Sequence, residues 1–180
     1  DEYCVFSIEG WDTTIAYNSF NRYKFECWDT EKNCIQITSK YSYPKYTNIT
    51  ITYDRHEKYL CMYQDGEKVG ERILKRKFLD TKKAWFNIGI GAIDRDEDNK
   101  SFRGYVNEFA YWDKQLQPNE ITELHNSQGF SLLNNYEQYS SSGNLRTYYD
   151  FKYIKLKSDY FYDEGKMLNL QTNEYDALTY

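Results

Sequence analysis

The segment from Tyr59 to Val69 constrains the fold more than any other part of the chain. It begins with the strand-like run Tyr59–Tyr63, and the connection Gln64–Glu67 contains an Asp-Gly pair, which supplies the positive φ values that a tight turn needs. Upstream, Ile49–Tyr53 is a β-branched run, and Asp54–Glu57 reads as the turn that joins it to the hairpin. The sequence therefore predicts a meander of three consecutive antiparallel strands.

Strand-like composition continues outside this meander, and a helical pattern is concentrated in one place. Alternating or β-rich runs occupy residues 23–27, 35–38, 85–93, 102–112, 145–151 and 166–170. Pro118 suits a first helical turn, Glu120 and Glu123 suit the helix dipole, and Gly129 can end the element. We expect one short helix near residues 118–127 in a chain made mostly of strands.

Two of the four cysteines flank a predicted turn at residues 29–32. A symmetric pairing about Thr30 and Glu31 places Cys27 opposite Cys34, within reach of a cross-strand disulfide if the compartment is oxidising. The alternative is that Cys27 and Cys34 are reduced, half-buried thiols that pack as small apolar residues.

Charge and composition argue against several functional classes. The net charge is −5, from 23 basic and 28 acidic residues, and the short basic run Lys75–Lys77 is a poor footprint for a phosphate backbone, so we expect no nucleic acid partner. His56 and His125 are the two histidines, and no CxxC spacing occurs, so neither a zinc site nor a Ser-His or Cys-His catalytic pair is apparent. No apolar run approaches the ~20 residues that cross a bilayer, so we expect no membrane insertion.

Five segments carry a family resemblance, and they occur in order at ordinary spacing. They are Ile49–Asp54, Leu60–Val69, Phe86–Gly89, Phe102–Trp112 and Leu116–Leu124. Together they resemble laminin-G and pentraxin-like domains of the concanavalin A-like lectin/glucanase superfamily. The resemblance implies an all-β fold, a two-sheet antiparallel jelly-roll sandwich, and ligand binding by loops at one rim. Short strands, an Asp-Gly hairpin and one late helix agree with that architecture.

The resemblance also indicates how the chain is organised. The family's opening strands are not evident before the segment that resembles it, whereas residues 145–170 are similar to such an opening. We therefore expect a laminin-G/concanavalin A-like domain at 1–129 that lacks its opening strands and a Ser/Asn-rich loop at 130–144. Residues 145–180 are then the closing strands or the start of a following domain. Either the chain is cut from a tandem array, which we favour, or the fold is circularly permuted.

An acidic run offers a candidate metal site. Asp94, Asp96 and Asp98 crowd carboxylates into one loop, and calcium takes oxygen ligands of this kind. The alternative is a solvated acidic turn, because Asn99 stands where a calcium loop would need glycine. Related hydrolases use paired acids in the pattern E-x-D-x-x-E, from which this run departs. We therefore predict weak calcium binding at most, no other cofactor and no catalytic residues.

Aromatic residues beside turns are the candidate ligand contacts. Tyr41, Tyr43 and Tyr46 flank Pro44 in a polar segment, and Trp11 follows a glycine. Flat apolar rings of this kind stack on sugars, although any one of the 20 tyrosines can instead cover half-buried sheet surface. We assign to the core Trp85, Tyr111 and Trp112.

These features predict a non-catalytic recognition module that binds a glycan or a surface protein. We expect it to be extracellular, or exposed on a virion or cell surface, as part of a larger protein assembly. The alternative is a purely structural interaction module of a virion, appendage or cell-surface complex. A glycoside hydrolase is the least favoured reading.

Overall fold

A computed structural model describes the backbone over thirteen stretches of the chain. These are residues 2–9, 13–18, 22–29, 31, 33–40, 46–75, 85–88, 106–127, 131–150, 155–157, 160–162, 166–169 and 174–177. The structure divides into two units, Asp1–Gly104 and Tyr105–Tyr180.

The first unit contains two antiparallel sheets. Its described strands are β1 (Glu2–Glu9), β2 (Thr13–Asn18), β3 (Arg22–Trp28), β4 (Cys34–Thr38), β5 (Ile49–Asp54), β6 (Tyr59–Gln64), β7 (Glu67–Ile73) and β8 (Trp85–Ile88). One sheet has the strand order β4-β3-β2-β1-β8, and the other has the order β5-β6-β7. The second sheet is the predicted three-stranded meander, which is confirmed.

An apolar core lies between these two sheets. Its buried members are Phe25, Cys27, Ile37, Leu60, Met62 and Leu74. Ile49, Ile51 and Tyr53 of β5 pack against the same core. Since successive side chains of a strand point to opposite faces, residues 50, 52 and 54 lie on the outer face of the meander. The predicted two-sheet antiparallel sandwich is confirmed.

The β6–β7 hairpin has the turn that its sequence predicts. Asp65 and Gly66 both have positive φ, 53° and 81°. Met62 pairs with Gly70 and Tyr63 with Lys68, so β7 carries one extra residue, a β-bulge. Gly70 lies opposite the buried Met62, and a Cβ atom at this position would lie 2.4 Å from Cγ2 of Ile37 in β4. Glycine is therefore required for the two sheets to approach this closely.

The β3–β4 connection corrects the predicted cysteine pairing. Asp29 Oδ1 accepts hydrogen bonds from the backbone N–H groups of Glu31 and Asn33, each at 2.9 Å. This lengthens the turn, so that Cys27 pairs with Ile35 rather than with Cys34.

A register shift of one residue moves a side chain to the other face of the sheet. Accordingly Cys27 is buried in the core, Cys34 is exposed, and both are free thiols. The predicted Cys27–Cys34 disulfide is therefore wrong for this structure. Burial raises the pKa of Cys27 to about 12, and the nearby Cys34, Glu26 and Asp29 add to the effect. The Cys27 thiol thus stays protonated at neutral pH.

The second unit contains the predicted helix and further antiparallel strand pairs. Its described elements are β9 (Glu108–Trp112), α1 (Pro118–Asn126), a 3₁₀ turn (Ser142–Asn144), β10 (Leu145–Asp150), β11 (Lys155–Lys157), β12 (Tyr160–Tyr162), β13 (Lys166–Asn169) and β14 (Glu174–Ala177). The pairs are β9 with β10, β11 with β12, and β13 with β14. The helix predicted near residues 118–127 is confirmed. Within the described part of the chain, the structure contains no helix long and apolar enough to cross a membrane.

Candidate functional site

Polar and aromatic residues meet where β6 turns into β7. We call this surface the hairpin rim, and it consists of Lys40, Tyr46–Asn48 and Asp65–Glu67. The backbone N–H of Asp65 donates to the Asn48 carbonyl at 2.9 Å, and the backbone N–H of Asn48 donates to Asp65 Oδ1 at 2.9 Å. This pair of bonds attaches the segment before β5 to the hairpin turn. Tyr46 therefore stands beside a fixed polar surface.

Four side chains of the hairpin rim are open to solvent: Lys40, Tyr46, Asn48 and Glu67. Tyr46 is 75% exposed, which is far more than packing on a sheet would leave. Asn48 is also exposed, and its Oδ1 accepts a hydrogen bond of 3.0 Å from the Thr50 hydroxyl. Lys40 Nζ lies 3.0 Å from Glu67 Oε2, and both of these side chains are mostly exposed. The rim thus offers an aromatic ring next to hydrogen-bonding groups.

Of the four predicted ligand contacts, the structure describes Tyr46. Trp11, Tyr41 and Tyr43 lie outside the described residues. Among the residues assigned to the core, Trp112 is half-buried, but Tyr111 is 47% exposed and that assignment was wrong. Successive side chains of a strand point to opposite faces, so Tyr111 lies on the face of β9 opposite to that of Trp112.

The candidate calcium ligands Asp94, Asp96 and Asp98 also lie outside the described residues. In the part of the chain that the structure describes, no group of three or more His, Cys, Asp and Glu side chains could hold a metal ion. Weak calcium binding at the acidic run therefore remains a prediction from the sequence.

A second polar cluster, which strand alternation alone did not indicate, lies on the outer face of the meander. Lys68 Nζ lies 3.2 Å from the Tyr59 hydroxyl and 2.5 Å from Glu71 Oε2, and the Tyr59 hydroxyl donates to Glu71. The hydrogen bond with Glu71 raises the pKa of Tyr59 to about 12. Hydrogen bonds from Lys68 and Tyr59 lower the pKa of Glu71. At neutral pH the cluster thus holds an ammonium, a carboxylate and a protonated phenol.

Among the residues whose burial the structure describes, the most buried charged one belongs to the helix. Glu120 is 2% exposed, and its Oε2 accepts from the backbone N–H of Gln117 at 2.9 Å. Its Oε1 accepts from the Ser141 hydroxyl at 2.6 Å and from the Ser140 backbone N–H at 3.0 Å. Burial opposes ionisation, but these hydrogen bonds outweigh it and lower the pKa of Glu120. Its position at the start of the helix was predicted, but its buried contacts were not.

The loop after α1 is fixed by a second set of contacts. The Trp112 indole N–H donates to the Tyr139 hydroxyl at 2.9 Å, and that hydroxyl donates to the Leu132 carbonyl at 3.1 Å. Lys114 Nζ lies 3.2 Å from the Ser141 hydroxyl. Tyr139 and Ser141 are fully buried. We therefore assign these residues and Glu120 to structural support.

Comparison with known proteins identifies the family. Residues 2–122 match the laminin G family model described as the concanavalin A-like lectin/glucanases superfamily. The chain belongs to this superfamily. The matched residues include the complete hairpin rim and the beginning of α1. No curated protein matches the chain.

Two solved structures are similar to this concanavalin A-like chain. A Bacteroides ovatus protein described as a "putative carbohydrate binding protein" aligns with a TM-score of 0.65 and 14% identity, over 98% of this chain and 47% of the other. An S-layer domain-containing protein of Clostridium thermocellum aligns with a TM-score of 0.38 and 23% identity, over 63% of this chain and 55% of the other. The chain thus spans about half the length of each neighbour, and the first likeness agrees with the sandwich fold.

Proposed function

We propose that this chain is a non-catalytic glycan-binding module that holds its ligand at the hairpin rim. The observation that carries the proposal is the exposed ring of Tyr46 beside the hydrogen-bonded pair Asn48 and Asp65. One face of a sugar ring is apolar and its edge carries hydroxyl groups, so an aromatic ring next to polar side chains suits both parts. Membership of a superfamily named for lectins supports this assignment.

The rim is also prepared for binding before a ligand arrives. The two backbone and side-chain hydrogen bonds between Asn48 and Asp65 hold the segment that carries Tyr46. Binding sites that are ordered in advance lose less conformational entropy when the ligand binds. We include Tyr41, Tyr43 and Trp11 in the proposed contact surface on the sequence argument given above.

The proposal extends to the setting of the module. A glycan ligand favours a place outside the cell or on its surface, and on the sequence argument given above we propose that the module works there within a larger assembly. A purely structural interaction module is the competing proposal. It predicts that no glycan binds through Tyr46.

Binding at Tyr46 can be tested with one substitution and a matched control. A glycan array identifies ligands of the unaltered chain, and calorimetric titration then measures affinity for the Tyr46→Ala variant. We expect a loss of about 5-fold or more, because removing an aromatic anchor from a binding surface costs more than ~1 kcal/mol. The melting temperature should change little, since Tyr46 is 75% exposed.

Tyr136→Ala is the control, because Tyr136 is another exposed tyrosine, at 45%, and lies outside the rim. Its affinity for the glycan should equal that of the unaltered chain. Equal losses for Tyr46→Ala and Tyr136→Ala, or no loss for Tyr46→Ala, would contradict the proposed site. Release of reducing ends from a bound polysaccharide would contradict the non-catalytic part of the proposal.

A further inference from the structure

We propose that Asn48 is an acceptor site for an N-linked glycan and that this glycan covers the hairpin rim. The modification goes beyond the proposed function, and it rests on that function only in placing the chain outside the cell. The residues Asn48-Ile49-Thr50 form the triplet Asn-x-Thr with a middle residue other than proline, which is the pattern that N-glycosylation requires. Such a triplet marks a surface position of a secreted protein, so the structure around it decides whether a glycan can be carried.

The side chains of Asn48 and Thr50 lie side by side. Residues two apart along an extended segment point to the same side, and the Thr50 hydroxyl donates to Asn48 Oδ1 at 3.0 Å. This bond occupies the amide oxygen and leaves the amide nitrogen, Nδ2, which is the atom that receives the sugar. In the part of the chain that the structure describes, no acceptor lies within hydrogen-bond distance of Nδ2. The nitrogen can therefore be modified without breaking a hydrogen bond of the described fold.

The backbone of Asn48 is held independently of its side chain. Its N–H donates to Asp65 Oδ1 and its carbonyl accepts from the Asp65 N–H, each at 2.9 Å. Asn48 is exposed, and it directly precedes Ile49 of β5, which packs against the core. Since successive side chains point to opposite sides, the Asn48 side chain points away from that core. A bulky hydrophilic group on Nδ2 would extend into solvent and leave the sandwich intact.

The modification needs one co-reactant, an oligosaccharide linked to a polyisoprenyl diphosphate. An oligosaccharyltransferase joins Asn48 Nδ2 to C1 of the first sugar, an N-acetylhexosamine, as the bond from C1 to the diphosphate oxygen breaks. Nδ2 gives up one proton, and the lipid diphosphate leaves with the bonding electron pair. The product is a substituted amide with a single N–H, so the transfer requires neither an oxidant nor a reductant.

A glycan on Asn48 would lie over the proposed ligand contact. Tyr46 precedes Asn48 by two residues, so their Cα atoms are at most about 7 Å apart. A chain of several sugars reaches further than this, and the Tyr46 ring is 75% exposed. The hairpin rim would then have two forms, one open to an external glycan and one covered by a glycan of the chain itself.

Secretion from cultured animal cells tests the site. The full chain is expressed behind a heterologous signal peptide, and the peptide that contains Asn48 is analysed by mass spectrometry before and after peptide-N-glycosidase treatment in heavy-oxygen water. We expect this peptide to carry a glycan of hexose and N-acetylhexosamine units, and the enzyme to convert the asparagine to a labelled aspartate. An unmodified Asn48 in the secreted chain would overturn the proposal.

Three variants of the triplet separate the modification from folding. Asn48→Gln and Thr50→Ala should lose the glycan completely, whereas Thr50→Ser keeps the hydroxyl and should retain it. All three should melt at nearly the temperature of the unglycosylated chain, because neither side chain belongs to the apolar core. A glycan that persists on Asn48 in Thr50→Ala would show that the triplet does not direct the modification.

The second triplet of the sequence, Asn99-Lys100-Ser101, supplies the matched control. Asn99→Gln should leave the Asn48 peptide fully modified, since each triplet is recognised separately. Loss of the Asn48 glycan in Asn99→Gln would show that the triplet at Asn48 does not suffice, and would contradict the assignment.

Tyrosine nitration tests whether the glycan covers the rim. Tetranitromethane modifies exposed tyrosine rings, and peptide mapping gives the rate at each position. We expect Tyr46 to react about 2-fold or more slowly in the glycosylated chain than in Asn48→Gln from the same cells, because a bulky glycan restricts access. Tyr136, which is 45% exposed, should react equally in both. Equal rates at Tyr46 would contradict the covering of the rim.

These measurements use no glycan ligand, so their failure is distinct from failure of the proposed function. An unmodified Asn48 would overturn the modification while Tyr46-dependent binding by the unglycosylated chain still stood. Absence of Tyr46-dependent binding on the glycan array would overturn the proposed function, and the glycan on Asn48 would still be detected.

Discussion

The β5–β7 meander and the α1 helix are held in place by different kinds of interaction. Leu60 and Met62 of the meander are fully buried among apolar side chains from neighbouring strands. The helix instead buries Glu120, whose carboxylate is satisfied by hydroxyl and N–H groups some twenty residues further along the chain. Apolar burial is nearly independent of pH, whereas a buried carboxylate is not. The two regions should therefore respond differently to mutation and to acid.

Truncation of the meander core should have the largest effect. We expect Leu60→Ala to lower the free energy of unfolding by about 3–4 kcal/mol, because Leu60 has no exposed surface and the cavity cannot fill with water. Denaturant titration measures this loss, which should be similar at pH 7 and pH 5. Ile73→Ala, at a site that is 79% exposed, is the control and should change stability by less than about 0.5 kcal/mol. Equal losses for the two variants would contradict the position of the core.

Removing the charge at Glu120 should have a smaller, pH-dependent effect. We expect Glu120→Gln to cost about 2–3 kcal/mol at pH 7, because the amide nitrogen would face hydrogen-bond donors. The pKa of Glu120 is lowered from 4.5 on folding, so its ionised form stabilises the folded state above that pH. This contribution is lost as pH falls through the folded-state pKa.

Acid titration of stability distinguishes the two regions. The unaltered chain should lose more stability below pH 4.5 than Glu120→Gln does, since the variant has already lost that contribution. Glu137→Gln, at an exposed position of the same loop, should retain the acid response of the unaltered chain. Parallel acid responses of Glu120→Gln and the unaltered chain would contradict an ionised Glu120 in the folded state.

Substitution at the close contact between the sheets should cause the smallest of the three losses of stability. Gly70→Ala should cost about 1–2 kcal/mol, because the new Cβ would lie 2.4 Å from Cγ2 of Ile37. The cost should be less in an Ile37→Ala background, which removes that methyl group, and a double-mutant cycle measures the difference. An identical cost in both backgrounds would show that the substitution acts through the backbone rather than through the contact.

Sequence patterns predicted these regions to different extents, for physical reasons. The meander was predictable because the Asp-Gly turn and the alternation of β6 are local signals. The pairing of Cys27 with Ile35 was not predictable. The Asp29 carboxylate lengthens the turn through hydrogen bonds that strand alternation does not reveal. The contacts of Glu120 were not predictable either, since they depend on where Ser140 and Ser141 return to the helix.

At the rim, the sequence indicated aromatic residues beside a turn, and Tyr46 is exposed there. The orientation of the Asn48 amide could not be inferred, because it depends on the hydroxyl of Thr50, two residues further along at the start of β5. Residue type and spacing thus indicated the candidate surface. Which hydrogen-bond donors and acceptors it exposes could be determined only from the structure.

The position of Glu120 has a practical consequence for recombinant work on this superfamily member. The family match ends at residue 122, within α1, which continues to Asn126. A fragment cut at that point would divide the helix and remove Ser140 and Ser141, so that Glu120 would lose the hydrogen bonds that attach this loop to the start of the helix. Such a fragment should express poorly or aggregate. A soluble preparation for crystals or binding assays needs a carboxyl-terminal boundary beyond Asp150, the last residue of β10, which pairs with β9.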